Sequence, residues 1–121
     1  MIGINSVTIV GNLGADPIRR ETPAGKTVTN MRVGINGYNG RTDWVTVVTW
    51  NALAEACAKH LQKSALIGVQ GRLLSRRYER DGVLHSVVEV VATHISFLST
   101  RSTVAAAGEV EDIEAPEDMG F

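Results

Sequence analysis

The stretch that determines the fold is Asp43-Trp44-Val45-Thr46-Val47-Val48-Thr49-Trp50, followed at once by Asn51-Ala52-Leu53-Ala54-Glu55-Ala56-Cys57-Ala58-Lys59-His60-Leu61. Its first half is rich in Val, Thr and Trp, which favour β-strands. Its second half repeats apolar residues at helical spacing, and it follows Asn51, a residue type favoured at helix N-caps. The sequence therefore predicts a strand over Asp43–Trp50 that leads directly into a helix over Ala52–Leu61.

Both tryptophans of the chain belong to this strand. Because side chains alternate between the two faces of a strand, Trp44 and Trp50 share one face, about 20 Å apart at the rise of a strand. This face is either a stripe of the core or an outward platform on which flat ligands stack. In the second case Val45 and Val47, on the opposite face, supply the core. The two alternatives imply different functions.

Four further segments complete the predicted set of elements. Alternating apolar residues predict strands over Ser6–Val10 and Thr27–Ile35 before the tryptophan strand, and over Leu66–Leu74 after the helix. Val83–Leu98 supplies the last strand or a pair of strands. The fold class is therefore all-β with one helix. Three strands, a helix and two strands fit a five-stranded closed barrel of the oligonucleotide/oligosaccharide-binding (OB) type, with the helix between strands 3 and 4. A small sandwich with one helix is the alternative.

Charge divides the 121 residues into a body and a tail. All twelve Lys and Arg lie at or before Arg101, where they outnumber seven acids, while the other six acids lie between Glu109 and Asp118. We expect residues 1–101 to form one domain and residues 102–121 to form a short, flexible acidic tail. A basic body with an acidic tail is typical of proteins that bind polyanions. A solvated terminus that only aids solubility is the alternative.

Several function classes find no support in the sequence. No apolar run is long enough to span a membrane, and no signal peptide is visible, so we expect an intracellular protein. The single Cys57 excludes an internal disulfide and lies on the apolar face of the predicted helix, as a buried thiol does. His60, His85 and His94 have no metal-ligand spacing. We expect no catalytic residue, no metal and no cofactor.

Basic and aromatic side chains are interleaved in the predicted strands and hairpins, which is what binding to a single strand of nucleic acid requires. Phosphates attract cations, and unpaired bases stack on flat apolar surfaces. Each basic residue, taken alone, is typical of a solvated surface, so the prediction depends on the combination. The aromatic candidates are Trp44, Trp50, Tyr78 and Tyr38, and the basic candidates are Arg20, Arg32, Lys63, Arg72, Arg76 and Arg77.

Short motifs in a fixed order resemble the bacterial-type single-stranded DNA-binding proteins, from about Ile4 to Leu98. They are Asn5-Ser6-Val7-Thr8-Ile9-Val10-Gly11-Asn12-Leu13-Gly14, Asp16-Pro17, Thr22-Pro23-Ala24-Gly25, Asp43-Trp44-Val45-Thr46-Val47-Val48, Leu53-Ala54-Glu55, Val69-Gln70-Gly71-Arg72-Leu73 and Glu89-Val90-Val91-Ala92. Each motif is short, but together they are specific.

The resemblance implies a homotetrameric OB barrel that binds single-stranded DNA without sequence preference in replication, recombination and repair, with no catalysis and no cofactor. The family's stacking positions match Trp44, Trp50 and Tyr78, and Tyr38 falls close to a further aromatic position. Family positions that contact phosphate match Arg20, Lys63, Arg76 and Arg77. The implied location is the cytoplasm, at the nucleoid, while an organelle or phage source stays open.

The acidic tail is similar to the family's C-terminal tip, which recruits replication and repair proteins. The last four residues are Asp118-Met119-Gly120-Phe121, with Gly120 where the family usually has Pro. Two other functions stay open. One is a dimeric primosomal accessory protein on the same fold, and the other is an adaptor module that acts through its acidic tail.

Overall fold

The computed structural model describes residues 3–99 and 112–114. Within them the chain forms seven strands and one helix. In chain order these are β1 (Val7–Leu13), β2 (Ile18–Glu21), β3 (Thr27–Asn36), β4 (Thr42–Trp50), α1 (Asn51–His60), β5 (Leu66–Arg80), β6 (Val83–Ser99) and β7 (Asp112–Glu114).

Five of these strands form a closed ring of hydrogen-bonded pairs. β1 pairs with β5, β5 with β6, β6 with β4, β4 with β3, and β3 again with β1. The pairs are antiparallel except for β4 with β6, which is parallel. This ring has no free end, as the predicted five-stranded barrel requires, and the helix follows the third of its strands. The all-β class with one helix is confirmed, and the sandwich alternative does not fit the pairing.

Two short strands were not predicted. The four exposed residues of β2 pair with the start of β3, after a turn in which the Thr22 N–H donates to the Lys26 carbonyl at 2.8 Å. β7 pairs with β6 through His94–Glu114, Ile95–Ile113 and Ser96–Asp112, so a piece of the acidic tail adds to the sheet. Neither strand has an alternating apolar pattern in its sequence. The strand conformation of each therefore depends on the strand with which it pairs.

The core fills the barrel with the side chains that face inward from the ring. Val33, Val47, Ile67 and Val90 are fully buried there, and Leu53 of α1 joins the same cluster. Val45 packs against this cluster from the edge. The Val45/Val47 face of β4 is therefore the core face, and the tryptophan face is turned outward. The core-stripe alternative for the two tryptophans is wrong.

The strand-to-helix junction differs slightly from the sequence prediction. α1 covers Asn51–His60, one residue earlier at each end than expected, and Trp50 rather than Asn51 is the flanking residue, in an extended conformation. Asn51 has a φ of 56°, in the left-handed region that Asn tolerates better than most residues. The sharp turn lets β4 run into α1 without a loop.

Among the described residues, no helix is long and apolar enough to cross a membrane.

Candidate nucleic-acid interface

The outer face of the β3–β4 ladder carries both tryptophans in a row of cross-strand pairs. The pairs on this face are Gly34–Trp44, Arg32–Thr46, Asn30–Val48 and Val28–Trp50. Trp44 is 46% exposed, Trp50 is half-buried, and neither belongs to the core cluster. This row, which we call the outer row, places two large aromatic rings and one arginine on the same surface.

Trp44 owes its position to glycines beneath its ring. A Cβ built on Gly14 would lie 2.6 Å from Trp44 Cζ3, and one on Gly34 would lie 2.9 Å from the same atom. Any side chain at either position would push the indole away. The Arg32 guanidinium lies 6.0 Å from the centre of the Trp44 ring, a distance at which a cation attracts an aromatic face. Trp44 is thus held in place while part of it stays in solvent.

Trp50 lines a groove on the outside of the barrel, which we call the Trp50 groove. Its volume is about 400 Å³, within the range of pockets that bind small ligands. The lining residues come from β2 and the turn after it, from the outer row, and from the facing arm of β5 and β6. They are Arg20, Glu21, Thr22, Pro23, Val28, Asn30, Val48, Trp50, Leu74, Arg76, Glu89 and Val91.

The floor of the Trp50 groove is apolar and lies outside the barrel core. Val28, Val48 and Val91 are buried, yet none of them belongs to the core cluster. Residues of the turn after β2 and of the β5–β6 hairpin line the same groove as these three valines. A flat apolar group can therefore enter next to Trp50 and find buried side chains on the floor.

An ion pair forms one wall of this groove. Arg76 donates from Nε and Nη2 to the two carboxylate oxygens of Glu89, at 3.0 and 3.1 Å. The Glu89 side chain is only 8% exposed, whereas that of Arg76 is 53% exposed. The hydrogen bonds to Glu89 raise the pKa of Arg76. Arg76 therefore has a structural task in addition to any contact with a ligand.

A second groove lies at the Trp44 end of the outer row, and we call it the Trp44 groove. Its volume is about 300 Å³. The Arg32 side chain on β3 extends toward β4 here, and its Nη1 lies 3.5 Å from Thr46 Oγ1. Most other lining residues are aliphatic: the full set is Val7, Ile9, Arg32, Trp44, Val45, Thr46, Leu73, Val87, Val88 and Val90. Within the described part of the chain, the two grooves share no lining residue.

Tyr78 lies on the long β5–β6 hairpin, and one neighbour already stacks on its ring. The His85 ring on the opposite strand is 5.2 Å away at an interplanar angle of 18°, and the Arg80 guanidinium lies 6.0 Å from the Tyr78 ring centre. The tyrosine is still 40% exposed. Its accessible surface is therefore smaller than that of an isolated ring.

The remaining predicted residues are exposed but do not converge on one point. Tyr38 is fully exposed in the turn between β3 and β4. Arg20 lines the Trp50 groove, and Arg77 follows Arg76 on the exposed arm. Lys63 and Arg72 are exposed and line neither groove; the backbone N–H of Lys63 donates to Asp16 Oδ1 at 2.8 Å.

Neighbouring arginines on β2 have different environments, which the sequence did not reveal. Arg19 forms two hydrogen bonds to the Glu55 carboxylate of α1, at 3.0 and 2.9 Å, while Arg20 points into the Trp50 groove. The bonds from Arg19, followed by the bond from Thr27, lower the pKa of Glu55, and the same pair raises the pKa of Arg19. Arg19 ties β2 to the helix.

Asn30 and Glu89 are two of the groove residues that the sequence did not single out as site residues. The one available signal was their even spacing from Val28 and Val91, which places them on the outer face if each strand is regular.

The tip residues Asp118, Met119, Gly120 and Phe121 lie outside the described residues. Among residues 3–99 and 112–114, no group of three or more His, Cys, Asp or Glu side chains could hold a metal ion.

Comparisons with known proteins agree with this geometry. The sequence model of the single-strand binding protein family matches residues 4–98. Single-stranded DNA-binding protein 2 of Streptococcus agalactiae serotype III is 37% identical, over 94% of this chain and 95% of that protein. Single-stranded DNA-binding protein 2 of Chlorobaculum tepidum is 42% identical, over 81% of this chain and 73% of that protein. The single-stranded DNA-binding protein of Neisseria meningitidis serogroup A is 31% identical, over 92% of this chain and 69% of that protein. The OB barrel, the outer row and these similarities together show that the chain belongs to the single-strand binding protein family.

Proposed function

We propose that this chain binds and protects single-stranded DNA in replication, recombination and repair, without sequence preference and without catalysis. The observation that carries the proposal is the outer row: two tryptophans face away from the core on one ladder, each beside a groove that contains arginine. Unpaired bases stack on such rings whatever their identity. The proposed location is the cytoplasm, at the nucleoid.

In this proposal the bases stack on Trp44, Trp50, Tyr78 and Tyr38. Trp44 and Trp50 offer surfaces that the fold positions, whereas Tyr38 is fully exposed and can move to follow the strand. Tyr78 stacks a base on the part of its ring that His85 leaves accessible. Each stack is worth roughly 1–3 kcal/mol.

The phosphates are neutralised by arginines and lysines around the grooves. Arg20, Arg76 and Arg32 lie at the groove walls, so a backbone that follows the outer row passes each of them. Arg77 extends the path along the hairpin arm, and Lys63 and Arg72 make outlying contacts. Because each phosphate contact releases counterions, affinity falls as salt rises, with a slope of about −0.7 per contact on single strands.

Self-association is the second part of the proposal, with the homotetramer as the expected state. Apolar side chains on the outside of β1 and β6 support it: Val10 is 52% exposed and Leu98 is 45% exposed. A Cβ on Gly68, between them on β5, would meet Leu98 at 3.7 Å and Val10 at 4.0 Å, so the two side chains form one patch. Native mass separates four subunits from two, and Val10→Asp should reduce the assembly. A dimer would favour the primosomal alternative.

The third part concerns the acidic tail. We propose that Asp118-Met119-Gly120-Phe121 recruits replication and repair proteins, with the upstream acids steering the encounter. Removing these four residues should leave affinity for single-stranded DNA intact or increase it, while binding to partner enzymes is lost. Unchanged partner binding would contradict this part alone.

Tryptophan fluorescence tests the central proposal. Adding oligo-dT should quench the emission of the wild-type protein, and the quenching should reverse as salt is added. Trp44→Phe and Trp50→Phe each leave one reporter, so they show whether both rings lie on the DNA. Emission that stays unchanged at high DNA concentration would overturn the proposal.

A further inference from the structure

The floor of the Trp50 groove contains a polar atom, Asn30 Oδ1, for which the described residues supply no hydrogen-bond partner. This oxygen is buried. Asn30 pairs with Val48, next to the Val28–Trp50 pair, so this acceptor lies on the apolar floor beside the indole. A buried acceptor without a donor is costly, and the cost is recovered when a ligand supplies an N–H.

A DNA strand can supply that N–H only from its bases. Phosphate oxygens and the deoxyribose ring within a strand carry no N–H, whereas every base has at least one on its edge. The groove also has room for a base beside Trp50, since its volume is about 400 Å³. A base stacked on Trp50 therefore brings its donor edge toward the floor, where Asn30 lies.

The type of edge that fits follows from what else lines the groove. The carboxylate of Glu89 is a second acceptor on the same groove. The substituent on C4 of a pyrimidine lies opposite the sugar-bearing N1, so it reaches furthest from the DNA backbone. It is an amino donor in cytosine and a carbonyl acceptor in uracil and thymine, whose own donor, N3–H, lies to one side of it. An acceptor that meets Asn30 Oδ1 gains no bond and adds repulsion, while an amino group satisfies it.

We propose that Asn30 is a specificity-determining residue, whose Oδ1 accepts a hydrogen bond from the exocyclic amino group of a base in the Trp50 groove. This inference rests on the proposed function and adds to it a preference for cytosine over uracil and thymine at one position of the bound strand. The other positions stack without a preference, so the effect is a modest bias on general binding. Arg20 and Arg76, the donors on the groove walls, serve the phosphates.

Oligo-dC and oligo-dU of equal length test the inference, because the two bases differ only at C4 and N3. At fixed salt and mildly alkaline pH, where cytosine is neutral, the wild-type protein should bind oligo-dC about three- to tenfold more tightly, as expected for one satisfied buried acceptor. This comparison needs no variant, so it holds whether or not a substitution disturbs folding. A wild-type ratio of one, or a preference for oligo-dU, would overturn the inference.

Variants of Asn30 test whether this residue causes the preference for oligo-dC. Asn30→Leu removes the acceptor and should bring the ratio to about one, whereas Asn30→Asp keeps an acceptor and should keep the ratio, although its charge weakens binding to both oligomers. Gln62→Leu, an exposed amide just after α1, is the matched control and should behave like the wild type. A ratio that Asn30→Leu leaves unchanged would overturn the inference. Tight binding to both oligomers without preference would leave the proposed function standing, whereas binding to neither would overturn both.

Discussion

The benzo edge of Trp44 lies directly against Gly34, its cross-strand neighbour. A Cβ on Gly34 would be 2.9 Å from Trp44 Cζ3, and a Cβ on Gly14 would be closer still, at 2.6 Å. Gly14 follows β1 and Gly34 belongs to β3, so two separate segments of the barrel leave room for one ring. The orientation of Trp44 therefore depends on the absence of side chains at both positions.

Gly14→Ala should displace the Trp44 ring and weaken binding to single-stranded DNA. We expect a loss of affinity of several fold, below the roughly 1–3 kcal/mol that Trp44→Ala would cost if the whole stack disappeared. Fluorescence titration with oligo-dT at fixed salt measures it. Gly3→Ala is the matched control, because a Cβ at this position would meet nothing within 4 Å. Equal affinities for the two variants would show that Trp44 is not positioned by Gly14.

The sequence was sufficient to predict the elements whose patterns are local. The alternation along β4 placed both tryptophans on the face opposite Val45 and Val47, and the helical spacing of Leu53 and Cys57 identified α1. Periodicity grouped the residues of each face, but the choice between a buried and an outward tryptophan face depended on the packing of Val45 and Val47 against the core.

The grooves could not be predicted in the same way, because they depend on contacts between distant segments. The partner of Arg76 is Glu89 on the next strand, and the partner of Arg19 is Glu55, thirty-six residues away. Nothing in the local pattern separates Arg19 from Arg20. Likewise β2 has no buried residue, and its strand conformation comes from pairing with β3. Tertiary pairing therefore decides which arginines are free to face a ligand.

Arg76 and Arg77 should differ in their effect on stability, although they are neighbours with the same charge. Arg76→Leu leaves the buried Glu89 carboxylate without its two hydrogen bonds, so we expect a loss of about 1–3 kcal/mol in the free energy of unfolding. Arg77→Leu, on the exposed arm, should change it by less than about 0.5 kcal/mol. Urea denaturation followed by circular dichroism measures both. If the two variants are equally stable, the Arg76–Glu89 pair does not support the fold.

The same two variants should lose similar amounts of electrostatic affinity for DNA. Each removes one cation near the strand, so the salt dependence of binding should become shallower by about 0.7 in each variant that loses a phosphate contact. A slope that changes for Arg77→Leu alone would mean that Glu89 already neutralises Arg76 and that Arg76 acts only on stability.

The Arg19–Glu55 pair should make stability depend on pH in acid. Arg19 lowers the pKa of Glu55 in the folded chain. The stabilisation is therefore fully present above the ordinary glutamate pKa of about 4.3, and it is lost as the pH falls through the lower folded value. Glu55→Gln should reduce the urea midpoint near neutral pH, and the difference from the wild type should disappear in strong acid. Both side chains are about half exposed, so the effect should be small and should shrink with salt.

Glu79→Gln provides the comparison for this pH series, because Glu79 is exposed near the end of β5. Its urea midpoint should equal that of the wild type at every pH. If the lower urea midpoint of Glu55→Gln persists unchanged in strong acid, the loss of stability comes from packing or from the hydrogen bond with Thr27 rather than from charge.

Cys57 should not react with thiol reagents in the folded protein. It is fully buried on the core side of α1, and burial raises the pKa of its thiol to about 12, well above the ordinary value of about 8.5. Because only the thiolate is nucleophilic, both access and ionisation oppose reaction near neutral pH. Labelling with a chromogenic disulfide should therefore be slow in buffer and fast in denaturant. Its rate in buffer should increase in the destabilised Arg76→Leu variant, where the barrel opens more often, and stay low in Arg77→Leu. Rapid labelling of the native wild type would contradict the burial of Cys57 between helix and barrel.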